Sequence, residues 1–138
     1  MRKKNPIALF VDDEPFLQEA LFAVLEADGI KCVSTSNVSE AMKYLQENDD
    51  ISLIVTDIMM PSGELYKDID SSNAGFFFVD EVLKKYPGIP MICLSVIGDQ
   101  KKINMLKRKG VLYLRKGETP LNTAIELIES RIRGFARY

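Results

Sequence analysis

Five side chains stand where an apolar run ends. Asp12 and Asp13 follow the run 7–11, and Asp57 follows 51–56. Ser95 closes 91–95, and Lys116 comes shortly after 111–114. One aspartate behind a strand is usually a solvated loop acid. Three carboxylates, a hydroxyl and an ammonium at the ends of four separate runs need a common cause. Carboxylates gathered in one place repel one another. A hard divalent cation removes that repulsion, and magnesium takes oxygen ligands while keeping several waters. A carboxylate beside such a cation can attack phosphorus, and the ammonium can take up charge that develops on the transferred group. With Asp12, Asp13 and Glu14 behind the first run, a bare phosphate would be repelled. A glycine-rich nucleotide loop is absent there.

The elements that must position these residues follow from periodicity. The runs 7–11, 30–35, 51–56, 91–95 and 111–114 read as strands. Between them lie helical patterns. The first opens at Pro15, carries Phe16, Leu17, Ala20, Leu21, Val24 and Leu25 on one face, and ends at Gly29. Asn37 and Glu40 have capping-box spacing ahead of Ala41, Met42 and Leu45. Phe77, Phe78, Val82 and Leu83 mark the third helix, stopped by Pro87 and Gly88. A short basic helix covers 101–109 with Ile103 and Leu106 inward. Thr119 and Pro120 precede a last helix with Leu121, Ala124, Ile125, Ile128 and Ile132. Apolar strands alternating with helices predict an α/β fold, a doubly wound parallel sheet of five strands with five helices on its two faces. Ligands of such sheets bind beyond the carboxyl ends of the strands, where the five side chains stand.

Composition narrows the function. The 138 residues are 46% hydrophobic with a net charge of -2. That suits one compact domain and argues against direct nucleic-acid binding. No apolar run approaches the roughly 20 residues of a membrane span. The apolar stretch behind the basic start stops at Asp12, too early for a signal peptide. Cys32 and Cys93 sit in apolar segments and read as buried thiols of a reducing, cytoplasmic compartment. The absence of histidine excludes histidine catalysis and histidine metal ligation. The cations Lys101, Lys102, Lys107, Arg108 and Lys109 read as a solvated face.

Together, Val11-Asp12-Asp13-Glu14-Pro15, Asp57-Ile58-Met59-Met60-Pro61, Ser95 and Tyr113-Leu114-Arg115-Lys116 resemble the response-regulator receiver family. The resemblance runs from about residue 5 to 132. It implies a flavodoxin-like sheet with strand order 2-1-3-4-5 and a single receiver domain over 1–138. It implies that Asp57 is the phosphoacceptor in a two-component system, charged from a sensor histidine kinase or a phosphotransfer protein. Magnesium would be held by Asp12, Asp13, Asp57 and the backbone carbonyl of Met59. Lys116 and Ser95 would contact the phosphoryl group, and Ser95 and Tyr113 would switch the surface of helix 4, strand 5 and helix 5 toward a downstream effector or a homodimer. Such a domain catalyses only its own phosphorylation and dephosphorylation.

Two other readings compete. A phosphatase of haloacid-dehalogenase type gathers similar groups, although its nucleophile follows the first strand in an Asp-x-Asp pattern. A receiver-like interaction module would need no phosphate.

The chain departs from the family pattern in four places, one of them the segment 110–116, which is one residue shorter than usual. Gly117 stands where the family has a proline in a cis peptide, so the aim of Lys116 is in question. Val96 is larger than the usual residue after Ser95. The polar stretch 62–74 is about ten residues longer than the family norm. It reads as a loop overhanging the mouth of the site, either a mobile insertion or a partial lid docked through Leu65, Tyr66 and Ile69.

Overall fold

The computed structural model describes residues 5–14 and 18–133, with only the backbone of Ser71 and Ser72. Five strands form one parallel sheet: β1 (Ile7–Val11), β2 (Lys31–Thr35), β3 (Leu53–Thr56), β4 (Met91–Ser95) and β5 (Leu112–Arg115), in the order β2-β1-β3-β4-β5. All four strand pairs are parallel. Five α-helices alternate with them: α1 (Glu19–Ala27), α2 (Val38–Glu47), α3 (Ser71–Lys85), α4 (Gln100–Arg108) and α5 (Leu121–Arg133). This is the expected strand order and helix count among the described residues.

The two-residue period of the strands sorts their side chains between two cores. Leu9, Val11, Ile54, Met91 and Cys93 face one way and pack with Met42 and Leu45 of α2, Phe78 and Val82 of α3, and Leu106 of α4. Ala8, Phe10, Leu53, Val55 and Ile92 face the other way and meet Leu21 and Leu25 of α1 and Ala124 and Ile128 of α5. β1 and β3 are buried on both faces, as the centre of such a sheet requires.

The helix starts are set by side chains. Asn37 caps α2 and accepts from the Glu40 amide at 2.9 Å. Glu40 reaches back to the Ser36 amide and hydroxyl, one residue before the cap. Asp99 caps α4, accepting from the Lys101 and Lys102 amides. The sequence pattern opens the first helix at Pro15, but Pro15, Phe16 and Leu17 lie outside the described residues. α1 is described from Glu19.

The expectation for 62–74 is corrected in two respects. Helix α3 begins at Ser71, because the Asp70 carboxylate accepts from the Asn73 amide at 3.1 Å and caps it. The acid, serines and asparagine that suggest a loop are here a helix start. The remainder packs on α2 and α3. The Ser39 hydroxyl donates to the Ser62 carbonyl and accepts from the Leu65 amide. A 3-10 turn covers Glu64–Tyr66, and the Tyr66 ring lies 4.9 Å from that of Phe77. Tyr66 and Ile69 join the first core, whereas Leu65 is 67% exposed.

Candidate functional site

Strand register brings the acids to one edge. Val11 pairs with both Thr35 and Thr56. The Asp12 amide donates to the Thr35 carbonyl, and the Asp57 amide donates to the Val11 carbonyl, each at 2.9 Å. Both ladders therefore end at the same level, and the next side chains converge. Asp12, Asp13 and Asp57 each offer a carboxylate oxygen, all within 4.8 Å of one another. Asp12 and Asp57 are buried, whereas Asp13 faces solvent.

Asp57 is held from two sides. Its Oδ1 accepts from the Ile58 amide at 2.6 Å and from the Met59 amide at 3.1 Å. Its Oδ2 accepts from Lys116 Nζ at 2.8 Å. The turn after β3 that supplies these amides is shaped by α3. At Gly75 an added Cβ would lie 2.1 Å from the Ile58 carbonyl oxygen, so only glycine lets the helix come this close.

Lys116 sits among acids. Its Nζ is 2.7 Å from Asp12 Oδ2 and 3.0 Å from Glu14 Oε1, besides the contact to Asp57. Burial alone would lower its pKa; the carboxylates of Asp12, Asp57 and Glu14 outweigh that and hold it above its ordinary value. Burial pushes the Asp12 carboxyl up, against the lowering effect of Lys116 and the Glu14 amide. One ammonium thus answers four carboxylates, those of Asp12, Asp13, Glu14 and Asp57. This excess of hard, anionic oxygen suits a magnesium-sized dication, and Asp12, Asp13 and Asp57 are placed to hold one.

The Gly117 junction is resolved by the backbone. No described peptide bond is cis, and Gly117 has φ +83°. In that left-handed conformation a residue with a Cβ is strained. The turn is closed by the Glu118 and Thr119 amides donating to the Arg115 carbonyl, and Lys116 reaches the acids with a trans bond.

Ser95 is fully buried at the end of β4, and its hydroxyl accepts from the Ile97 amide at 3.5 Å. The Tyr113 hydroxyl donates to the Ile97 carbonyl, and lies 3.3 Å from the Ser95 carbonyl. The Lys116 amide also donates to the Ser95 carbonyl, at 2.9 Å. The first part of the loop behind Ser95 is therefore tied to β5 and the residue after it. Val96 is turned to solvent, 59% exposed. Cys93 lies behind the site; burial, with the nearby Asp57 charge, raises its pKa far above the usual thiol range, so it is an inert core residue.

Asp12, Asp13, Asp57 and Lys116 meet at one edge, whereas Ser95 closes the neighbouring strand β4 and Tyr113 lies within β5 against the loop behind Ser95. Two neighbours escaped that reading. Glu14 is a third partner of Lys116; its place in the acidic run is the only signal for it. Gln18 is buried beside the site, and nothing in a helical pattern distinguishes it from a solvent-facing residue.

Known proteins resemble this chain in sequence and fold. The response regulator receiver domain family matches residues 8–126. A putative response regulator, NtrX-like, of Rickettsia bellii is 27% identical over 109 residues, which are 78% of this chain and 21% of that protein. The response regulator Rre1 of Synechocystis is 42% identical over 65 residues, 46% of this chain and 28% of that protein. The chain thus spans a fifth to under a third of the length of these relatives. A crystal structure of a response regulator receiver domain protein from Clostridium thermocellum superposes with a TM-score of 0.75 at 25% identity, covering 93% of this chain and 94% of that one.

Proposed function

Because this chain belongs to the response regulator receiver domain family of two-component systems, we propose that Asp57 is its phosphoacceptor. The observation that carries this is the pairing of Asp57 Oδ2 with Lys116 beside the carboxylates of Asp12 and Asp13. An Asp57 carboxylate oxygen attacks the phosphorus of a phosphohistidine on a sensor kinase or phosphotransfer protein. The new P–O bond forms as the P–N bond breaks, and the departing imidazole keeps the electron pair and takes a proton from solvent. Lys116 moves with the charge from the carboxylate onto the phosphoryl oxygens, and the Ile58 and Met59 amides hold the attacking group in place. Magnesium, held by Asp12, Asp13, Asp57 and the Met59 carbonyl, would supply neutralisation of the incoming phosphoryl charge. Ser95 hydrogen-bonds the phosphoryl group, and Tyr113 follows the loop behind Ser95.

The phosphatase reading has no support from the family match. The phosphate-independent reading loses its one argument, because Lys116 reaches Asp57 despite Gly117. The downstream partner is an effector or a second copy of the chain, meeting the α4-β5-α5 surface. No described helix is long and apolar enough to cross a membrane.

Intact mass after incubation with acetyl phosphate and magnesium tests the proposal. One phosphoryl group is expected on the native chain and none on Asp57→Asn. Phosphorylation of the variant, or full phosphorylation of the native chain in excess chelator, would overturn it.

A further inference from the structure

Lys116 has no donor to spare. An ammonium carries three N–H groups, and Lys116 Nζ lies 2.7 Å from Asp12 Oδ2, 2.8 Å from Asp57 Oδ2 and 3.0 Å from Glu14 Oε1. A phosphodonor that is to be met by Lys116 must therefore displace one of these three carboxylates. They are not held alike. Asp57 is fixed by the Ile58 and Met59 amides, and it supplies the attacking oxygen. The Asp12 side chain is 8% exposed, and its Oδ1 accepts from the Glu14 amide at 2.9 Å. The Glu14 side chain is 49% exposed, and Lys116 is the only partner of its carboxylate among the described residues. A half-exposed carboxylate returns to water easily, whereas releasing a buried one leaves a charge without a partner.

We propose that Glu14 is a displaceable ligand of Lys116: it holds one ammonium hydrogen in the resting chain, yields it to the phosphoryl group of an arriving donor, and so sets how readily phosphodonors react. This rests on the phosphoacceptor reading of Asp57. Glu14 acts through Lys116 and is a positioning residue. While the donor approaches, Asp57 is still a carboxylate and keeps its own hydrogen bond to Lys116. A phosphoryl oxygen takes the place of Glu14 Oε1, and the Glu14 side chain turns to solvent. The Lys116–Glu14 contact thus exists in the free chain and is gone in the transition state, so it slows the reaction of free protein with donor. Glu14 is joined to the site twice, through its carboxylate to Lys116 and through its amide to Asp12. A side-chain substitution alters the first link and leaves the second.

Two substitutions separate displacement from plain repulsion of an anionic donor. Glu14→Gln removes the charge and keeps the reach. Glu14→Asp keeps the charge and is one methylene shorter, so its carboxylate withdraws from Lys116. Glu14 is half-exposed, and neither change touches the core. Intact mass over time, at low acetyl phosphate and saturating magnesium, gives the second-order rate constant of phosphorylation. Both variants should react faster than the native chain, by about two- to fivefold, the worth of one partly exposed ion pair. In metal-free protein the NMR signals of Lys116 Cε and Nζ should move in both variants, which reads the contact without any phosphorylation. A rate raised only in Glu14→Gln means repulsion without displacement and overturns the proposal, as does a rate unchanged or lowered in either variant. Lys116 signals that stay in place in either variant overturn it as well. A native chain that takes no phosphoryl group from acetyl phosphate overturns the phosphoacceptor reading and this proposal with it. A phosphorylated native chain whose rate both variants match overturns this proposal alone.

Discussion

At the scale of residues, the site is a cluster of like charge around a single ammonium. Removing one acid should therefore relieve repulsion and at the same time remove a place for metal. Asp13→Asn is the cleanest case, because Asp13 is the exposed acid of the cluster and Lys116 is not among its ion-pair partners. Without divalent metal the variant should melt no lower than the native chain. With magnesium the native chain should gain stability as metal concentration rises, by about 2.7 kcal/mol at a hundred times the dissociation constant. The variant should gain little. Thermal melts across a magnesium titration check this, and equal gains would remove Asp13 from the metal site. Lys116 sets a second expectation. Its folded pKa lies above the ordinary 10.5, so the folded state holds this proton more tightly than the unfolded chain. The resulting stabilisation is fully present below about pH 10.5 and is lost as pH rises through the folded value. Urea midpoints should therefore fall more steeply above pH 10.5 in the native chain than in Lys116→Met. Parallel curves would show that Lys116 does not gain its charge partners on folding.

At the scale of elements, two contacts decide how the site is presented. Helix α3 touches the turn after Asp57 through Gly75, where a Cβ would stand 2.1 to 2.6 Å from the backbone of Ile58. Gly75→Ala must push the helix or the turn aside. The expected cost is at least ~1–3 kcal/mol of stability, together with slower phosphorylation, because the Ile58 and Met59 amides that hold Asp57 would shift. Unchanged urea midpoint and unchanged rate would contradict the close approach. The stretch between β3 and α3 is the other case. Its placement on α2 through Ser39, and on the core through Tyr66 and Ile69, makes it part of the packing rather than a cover for the site. Only packing against Ile58 explains Gly75. The loop-like composition of 62–74 concealed a helix start because capping residues and turn residues are the same types.

At the scale of the molecule, the loop behind Ser95 links the acid edge to the far side of the sheet. Tyr113 of β5 bonds to Ile97 within it, and the Lys116 amide, just past β5, bonds to the Ser95 carbonyl where it begins. A phosphoryl group that draws the Ser95 hydroxyl toward Asp57 must rearrange those bonds and carry α4, β5 and the start of α5 with them. Hydrogen exchange with and without phosphorylation should change within residues 96–125 and change little in β2 and α2. Identical exchange over 96–125 would exclude this route.

The sequence by itself determined the five strands, the helices between them and the convergence of Asp12, Asp13, Asp57 and Lys116, with Ser95 at the end of β4. Each of these follows from local period and from the rule that a parallel sheet gathers its strand ends. Tertiary structure alone decided the rest. It showed that Lys116 reaches both Asp12 and Asp57 across a trans bond to Gly117, that Glu14 joins them, and that Tyr66 and Ile69 are core. These depend on distances between residues far apart in the chain, and periodicity carries no information about such distances.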